Sequence, residues 1–301
     1  LDFKPMLETY TGVVREVVLG KGEKVLRAGG QASLPLHDFE AAKPARPLLA
    51  LEMLDAPPTD WPAHLVEPWS AVLADPAAWA RKCLEYGADL VSLQLRSTDP
   101  AGANTAPEDA AARVKAVSAA LGSPLMVYGS GDDVKDALVL PAVAAACSGD
   151  NLLLGPAVKE NYEVVGKAAL DHGHTLIAQS PLDMNLMKEL NLKLTKFFPV
   201  ERIVIDPLSS PTGYGLEYSF SLMERARQAA VMYKDPMLQM PIIANLAEES
   251  WKTKEARAGA KQGVLWETVT AVTLILAGAD IVVMRHPEAL SMVRKVLKGE
   301  I

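Results

Sequence analysis

From Leu48 onward one pattern recurs: a short apolar run, a polar loop, then an amphipathic segment of helical length. The runs are Leu48 to Met53, Leu90 to Leu95, Leu125 to Tyr128, Asn151 to Leu154, Thr175 to Ala178, Arg202 to Ile205, Ile242 to Ala244 and Ile281 to Met284. The helical segments that follow are Pro76 to Tyr86, Ala106 to Leu121, a stretch interrupted at Pro141, Lys159 to Asp171, Asp183 to Lys193, Leu216 to Tyr233, a split region from Glu249 to Leu276, and Pro287 to Leu297. Asp75 before Pro76 reads as a helix N-cap with proline at the first helical position, and Thr105-x-x-Glu108 reads as a capping box. Runs apolar on both sides are what parallel strands covered on both faces require. Eight strand-then-helix units in series predict a closed (β/α)8 TIM barrel, α/β in class. No glycine-rich fingerprint follows the first strand, which argues against an open doubly wound sheet.

The first 47 residues follow another rule. Thr11 to Leu19 is valine-rich, Gly20-Lys21-Gly22 is a turn signal, and Glu23 to Arg27 reads as the returning strand before Gly29-Gly30. A β-hairpin is expected here, capping the lower end of the barrel. Residues 31–47, with three prolines, read as an irregular connection. The expected organisation is an N-terminal hairpin and connecting segment over 1–47 and a barrel over 48–301.

Composition narrows the function classes. The formal net charge of -7 argues against nucleic-acid and anionic-membrane partners. The apolar stretch Val264 to Ala279 is too short to span a bilayer and contains Glu267, so it reads as a core helix. No secretory signal pattern opens the chain, and a cytoplasmic protein is expected. Two cysteines, Cys83 and Cys147, are expected to be buried free thiols, and two thiolates are too few for an iron–sulfur cluster.

In such barrels function gathers at the C-terminal ends of the strands. Residues there form a polar rim: Glu52, Gln94, Arg96, Tyr128, Ser130, Gln179, Ser180, Asp206, Thr212, Asn245 and Arg285. The rim has neither a histidine pair at metal spacing nor a lysine placed for Schiff-base chemistry. Glu52 and Asp206 could act as an acid–base pair or be held by Arg96 and Arg285. His286 could reach the rim. His172 and His174 read as loop or capping residues at the opposite face, and His37 and His64 lie in connections without a visible partner. Gly129-Ser130-Gly131-Asp132 offers backbone amides for an anion, or a plain turn with Asp132 as N-cap. The proline- and glycine-punctuated loop Asp206 to Gly215 is a shaped segment that could close over a flat ligand. Residues alone favour binding over catalysis, with no catalytic residue or metal ligand assigned.

Several stretches in combination resemble one family. They are Leu154-Gly-Pro-Ala-Val-Lys-Glu-Asn-Tyr162, Ile177-Ala-Gln-Ser-Pro-Leu-Asp-Met-Asn185 with Leu190-Asn191, Gly213-Tyr-Gly-Leu-Glu-Tyr-Ser219 with Met223-Glu-Arg225, and Glu248-Glu-Ser-Trp-Lys-Thr-Lys-Glu255. The chain from Leu48 onward resembles the small subunit of the corrinoid iron–sulfur protein, the delta subunit of acetyl-CoA decarbonylase/synthase. That resemblance implies a methyl carrier of the reductive acetyl-CoA (Wood–Ljungdahl) pathway in anaerobes. It implies a heterodimer with a large subunit that carries the iron–sulfur cluster and most of the corrinoid-binding domain. Methyl would pass from a methyltetrahydrofolate methyltransferase, by way of cobalamin at the subunit interface, to acetyl-CoA synthase. The rim then gives the expected cofactor-contacting set: Gln94, Gln179, Asn245 and Thr212 for the corrinoid amides, Tyr128 and Tyr214 for its apolar edges, with Arg96, Asp206 and Arg285 beside them. The alternative is a barrel methyltetrahydrofolate-dependent methyltransferase, with Asp206 and Asn245 reading the pterin ring.

Overall fold

The computed structural model describes residues 7–22, 24–35 and 46–300. Eight parallel strands form one sheet: β3 (Leu48–Leu54), β4 (Leu90–Gln94), β5 (Leu125–Tyr128), β6 (Leu153–Ala157), β7 (Thr175–Gln179), β8 (Ile203–Asp206), β9 (Ile243–Asn245) and β10 (Ile281–Met284). Their order is β8-β7-β6-β5-β4-β3-β10-β9, and a parallel bridge between Ile205 and Ile242 joins the two ends. The sheet is a (β/α)8 barrel, and each of the eight apolar runs supplies one strand.

Side chains alternate across each strand, so an unbroken apolar run serves two cores at once. Leu49, Leu51 and Met53 of β3 join the layer beneath the surrounding helices, whereas Ala50 points inward with Leu90, Met126, Leu153, Ile177, Val204, Ile243 and Ile281. The interior is therefore packed with side chains.

The lower end of this interior is closed by the hairpin β1 (Val17–Leu19) and β2 (Leu26–Ala28), which pair antiparallel. Val17, Leu19 and Ala28 belong to the same buried cluster as the inward strand residues. Asn151, held at φ 49°, donates its amide to the carbonyls of Val18 (2.9 Å) and Gly20 (3.1 Å). β6 begins at Leu153, two residues after this contact. Gly29 has φ +92° and lies against the Arg15 carbonyl, which a Cβ would meet at 2.0 Å, so only glycine fits.

Two local expectations fail. The second helix starts at Pro107 with Ala106 at the N-cap and no side-chain cap bond. Thr105 instead gives its backbone N–H to the Ser97 carbonyl, so the capping box does not form. The helix Asp133–Ala146 runs through Pro141 without interruption. Burial of Leu140, Val143 and Ala144 against the neighbouring helix Pro107–Leu121 offsets the lost backbone bond. Elsewhere the local chemistry is as read: Asp75 accepts from Ala77 N (2.9 Å) and Ala78 N (3.1 Å), and the region after β9 splits into Ala247–Lys252, Lys254–Arg257 and Ala260–Leu276. Cys83 and Cys147 are buried free thiols, and burial pushes both thiol pKa values up, Cys147 to about 11. Among the described residues no helix is long and apolar enough to cross a membrane.

Candidate functional site at the upper mouth of the barrel

The C-terminal strand ends divide into a flank of neutral donors around Asp206 and a flank of ion pairs. On the first, β8 ends in Asp206, which is wholly buried. Its carboxylate accepts from the Tyr128 hydroxyl (2.9 Å), the Gln179 side-chain amide (2.9 Å) and the Leu208 N–H (2.9 Å). One side chain thus joins β5, β7 and the loop after β8. Burial raises the Asp206 pKa, opposed by these hydrogen bonds. Burial first, and then the neighbouring Asp206 charge, push Tyr128 well above the usual phenol range. Gln94, at the end of β4, gives its amide to the Gly129 carbonyl.

Between the two flanks lies a cavity of about 430 Å³, lined by Gln94, Tyr128, Gln179, Asn245 and Leu208 on one side and by Glu52, Glu248 and Glu249 on the other. A second cavity of about 280 Å³ extends outward to the helix Met184–Leu194 and shares Gln179, Pro181 and Leu208 with the first. Ser180 and Ser209, in the loops after β7 and β8, each carry a buried hydroxyl with no hydrogen-bond partner.

The charged flank is built on Arg285, at the end of β10. Its Nε donates to Glu52 Oε1 at 2.6 Å, and both side chains are buried. Its guanidinium lies 4.9 Å from the Trp61 ring centre, and Glu248 stands 4.0 Å away with Arg96 3.9 Å beyond it. Of the two carboxylates, Glu52 is ion-paired with Arg285, whereas Asp206 is held by neutral donors and by neither arginine. Burial raises the Glu52 pKa, and Arg285 opposes the rise. Glu267, from the long helix Ala260–Leu276, accepts the backbone N–H groups of Arg285 (2.6 Å) and His286 (3.0 Å). Burial pushes this carboxyl up to about 7.

Not every expected rim residue meets at the mouth. Gln94, Tyr128, Gln179 and Asn245 line the larger cavity, with Asp206 beneath them. Arg96 and Arg285 line a small cleft beside Trp61. Thr212 and Tyr214 lie outside both cavity linings. Thr212 bonds to Thr270 (3.0 Å) and accepts from Trp266 (2.9 Å), while Tyr214 donates to Glu255 (2.9 Å). They fasten the loop after β8 to the following helices.

The remaining candidates have structural work. The amide nest at Ser130 and Gly131 already holds a carboxylate, that of Asp136, at 2.8 and 3.0 Å, and Asp132 caps the helix through Lys135 N. His286 caps the last helix through Glu288 N (3.1 Å) and stacks on Trp251, and burial lowers its pKa to about 4. His174 is wholly buried rather than solvated, accepting from Leu152 N and facing the Ala144 carbonyl. His172 is at the end of the helix Tyr162–Asp171, beside Ser148. His64 contacts the Ala256 carbonyl, and His37 lies outside the described residues. Among the described residues no cluster of three or more His, Cys, Asp and Glu side chains is arranged to hold a metal ion. Sequence reading did not single out Trp61 or Leu208 for the mouth, and it noted Glu267 only as a charge in an apolar helix. That lone carboxylate was the one available signal.

Three comparisons bear on this geometry. Residues 16–297 match the family model described as CO dehydrogenase/acetyl-CoA synthase delta subunit. The chain is 37% identical to the acetyl-CoA decarbonylase/synthase complex subunit delta of Methanothermobacter thermautotrophicus, covering 98% of this chain and 78% of that protein. It is 35% identical to the Archaeoglobus fulgidus subunit of the same name, covering 98% and 70%. Among solved structures, Xanthomonas albilineans dihydropteroate synthase with 4-aminobenzoic acid superposes with a TM-score of 0.60 at 14% identity, over 95% of this chain and 98% of that one. At that identity the likeness concerns the fold alone.

Proposed function

The chain belongs to the CO dehydrogenase/acetyl-CoA synthase delta subunit family, and from that premise we propose that its upper mouth covers a corrinoid held at the interface with a large subunit. The observation that carries this reading is the row of amide and hydroxyl groups from β4, β5, β7 and β9 along one side of a cavity whose other side carries Glu52, Glu248 and Glu249. A corrinoid is rimmed by neutral amides, which need donors and acceptors rather than counter-charges. A cavity of about 430 Å³ suits part of such a macrocycle, not the whole. The barrel therefore meets one face or edge, and the large subunit supplies the rest of the enclosure.

A bound corrinoid supplies reversible methyl transfer at cobalt. The chain's own residues position and exclude. Gln179 and Gln94 are oriented by Asp206 and Gly129, so their free carbonyl oxygens are available to amide N–H groups at the mouth. Leu208 and the Arg285–Trp61 contact wall the opening against water. The proposed partners are the large subunit bearing the iron–sulfur cluster, the methyltetrahydrofolate methyltransferase that delivers methyl and the acetyl-CoA synthase that receives it, in the cytoplasm of an anaerobe.

The test is co-purification with and without the large subunit, read by visible absorbance. A corrinoid spectrum retained only when both chains are present is the expected result. An isolated chain that binds methyltetrahydrofolate and ignores the large subunit would overturn the proposal in favour of a methyltransferase. Complete burial of Asp206, with three hydrogen bonds already accepted, weighs against that outcome.

A further inference from the structure

Leu208 sits at φ +63°, in the left-handed region. Three other described non-glycine residues have positive φ. Asn104 and Asn151 tolerate it through their short polar side chains. Lys234 follows the end of the helix Leu216–Val231, a common place for such a conformation. Leu208 has neither excuse. It is a γ-branched residue in a loop, in a backbone region that L side chains disfavour.

The surroundings over-determine this conformation. Pro207 precedes Leu208, Pro211 closes the segment, and the Leu208 N–H is anchored on Asp206 at 2.9 Å. The strained backbone does not buy core packing, because the side chain is 44% exposed. It projects instead into the wall shared by the two upper cavities, beside Ser209 with its unpartnered buried hydroxyl. An apolar side chain held in solvent at the expense of backbone comfort is the arrangement expected of a contact residue fixed in advance for its ligand.

We infer that Leu208 is a specificity-determining contact of the upper mouth, held by Asp206 to meet an apolar edge of the macrocyclic cofactor. The inference rests on the corrinoid reading above and names the residue that fixes its seating. Glycine or asparagine would sit more comfortably at this φ, so what leucine adds at this position is its apolar side chain.

The test uses the two-subunit complex and three variants. Leu208→Asn relieves the backbone and removes the apolar side chain, Leu208→Ala removes the side chain alone, and Leu208→Met keeps an apolar one. For the Asn and Ala variants the expected result is about tenfold faster loss of corrinoid from the complex, from the lost apolar contact. The Asn variant's own melting temperature is expected to be unchanged or raised, and the Met variant is expected to retain cofactor as wild type does. Wild-type retention in both the Asn and Ala variants would overturn the inference while leaving the corrinoid reading intact. So would a fall in the melting temperature of the isolated Asn variant, since the leucine would then be serving the loop's own packing. If the wild-type large subunit holds corrinoid equally well without this chain, the reading itself fails and the inference falls with it.

Discussion

The two ends of the barrel are made from the same eight strands and differ in how completely they are finished. At the lower end the interior is plugged by Val17, Leu19 and Ala28, and the Asp280 carboxylate beside it is fully engaged. Asp280 accepts from Arg227 (2.6 Å), from Ile242 N (2.7 Å) and from Gln31, all within the fold. At the upper end two adjoining cavities open over the strand ends and a leucine is held exposed at positive φ, whereas the cavity at the lower end lies outside the plug, beside the hairpin turn. The lesson is that a polar network by itself does not mark function. The lower network is closed in, with Arg227 and Asp280 wholly buried, whereas the upper one lines cavities open at the mouth.

The largest expected effect breaks the lower end. Asp280→Ala leaves Arg227 buried and unpaired, at a cost of about 3–5 kcal/mol in denaturant unfolding. Cofactor retention by whatever remains folded should be unchanged. If the folded fraction loses corrinoid as fast as a Leu208 variant, the two ends are not separable.

The second effect sharpens the contrast through pH. The Glu267 carboxyl is raised to about 7 in the folded chain from an ordinary 4.5, so the folded state holds its proton more tightly than the unfolded state. Its stabilising contribution is present below about pH 4.5 and is lost as pH rises through about 7, on the order of 3 kcal/mol in all. Glu267→Gln should therefore cost more stability at pH 5 than at pH 8, read from unfolding midpoints at both values. His286 has the opposite sign. Its folded pKa of about 4 means stability present above 6.5 and lost as pH falls toward 4, and the Gln variant should expose that slope. A variant whose cost is the same at both pH values would show that the carboxyl is not shifted.

The smallest effect is at the exposed edge of the mouth. Arg96 is half exposed and 3.9 Å from Glu248, so Arg96→Ala should change stability by less than about 1 kcal/mol. A larger loss in unfolding experiments would mean that the charged flank is as structural as the lower network.

Periodicity alone determined most of the architecture. Eight apolar runs of strand length, each followed by a helical segment, leave a closed parallel barrel as the arrangement that covers both faces of every strand, and the glycine-bounded hairpin was equally legible. These features are local, because the alternation of side chains and the turn preference of glycine act within a few residues. The rim was legible as a set of strand-end residues, but its division was not. Only the tertiary structure pairs Arg285 with Glu52 across 233 positions, fills the Gly131 nest with Asp136 and turns Thr212 and Tyr214 away toward neighbouring helices. It also let the helix pass through Pro141 where local preference predicted a break. The reason is physical: a buried charge, a hydroxyl or a lost backbone bond is settled by what packs against it, and for Arg285, Thr212 and Tyr214 those partners come from distant parts of the chain.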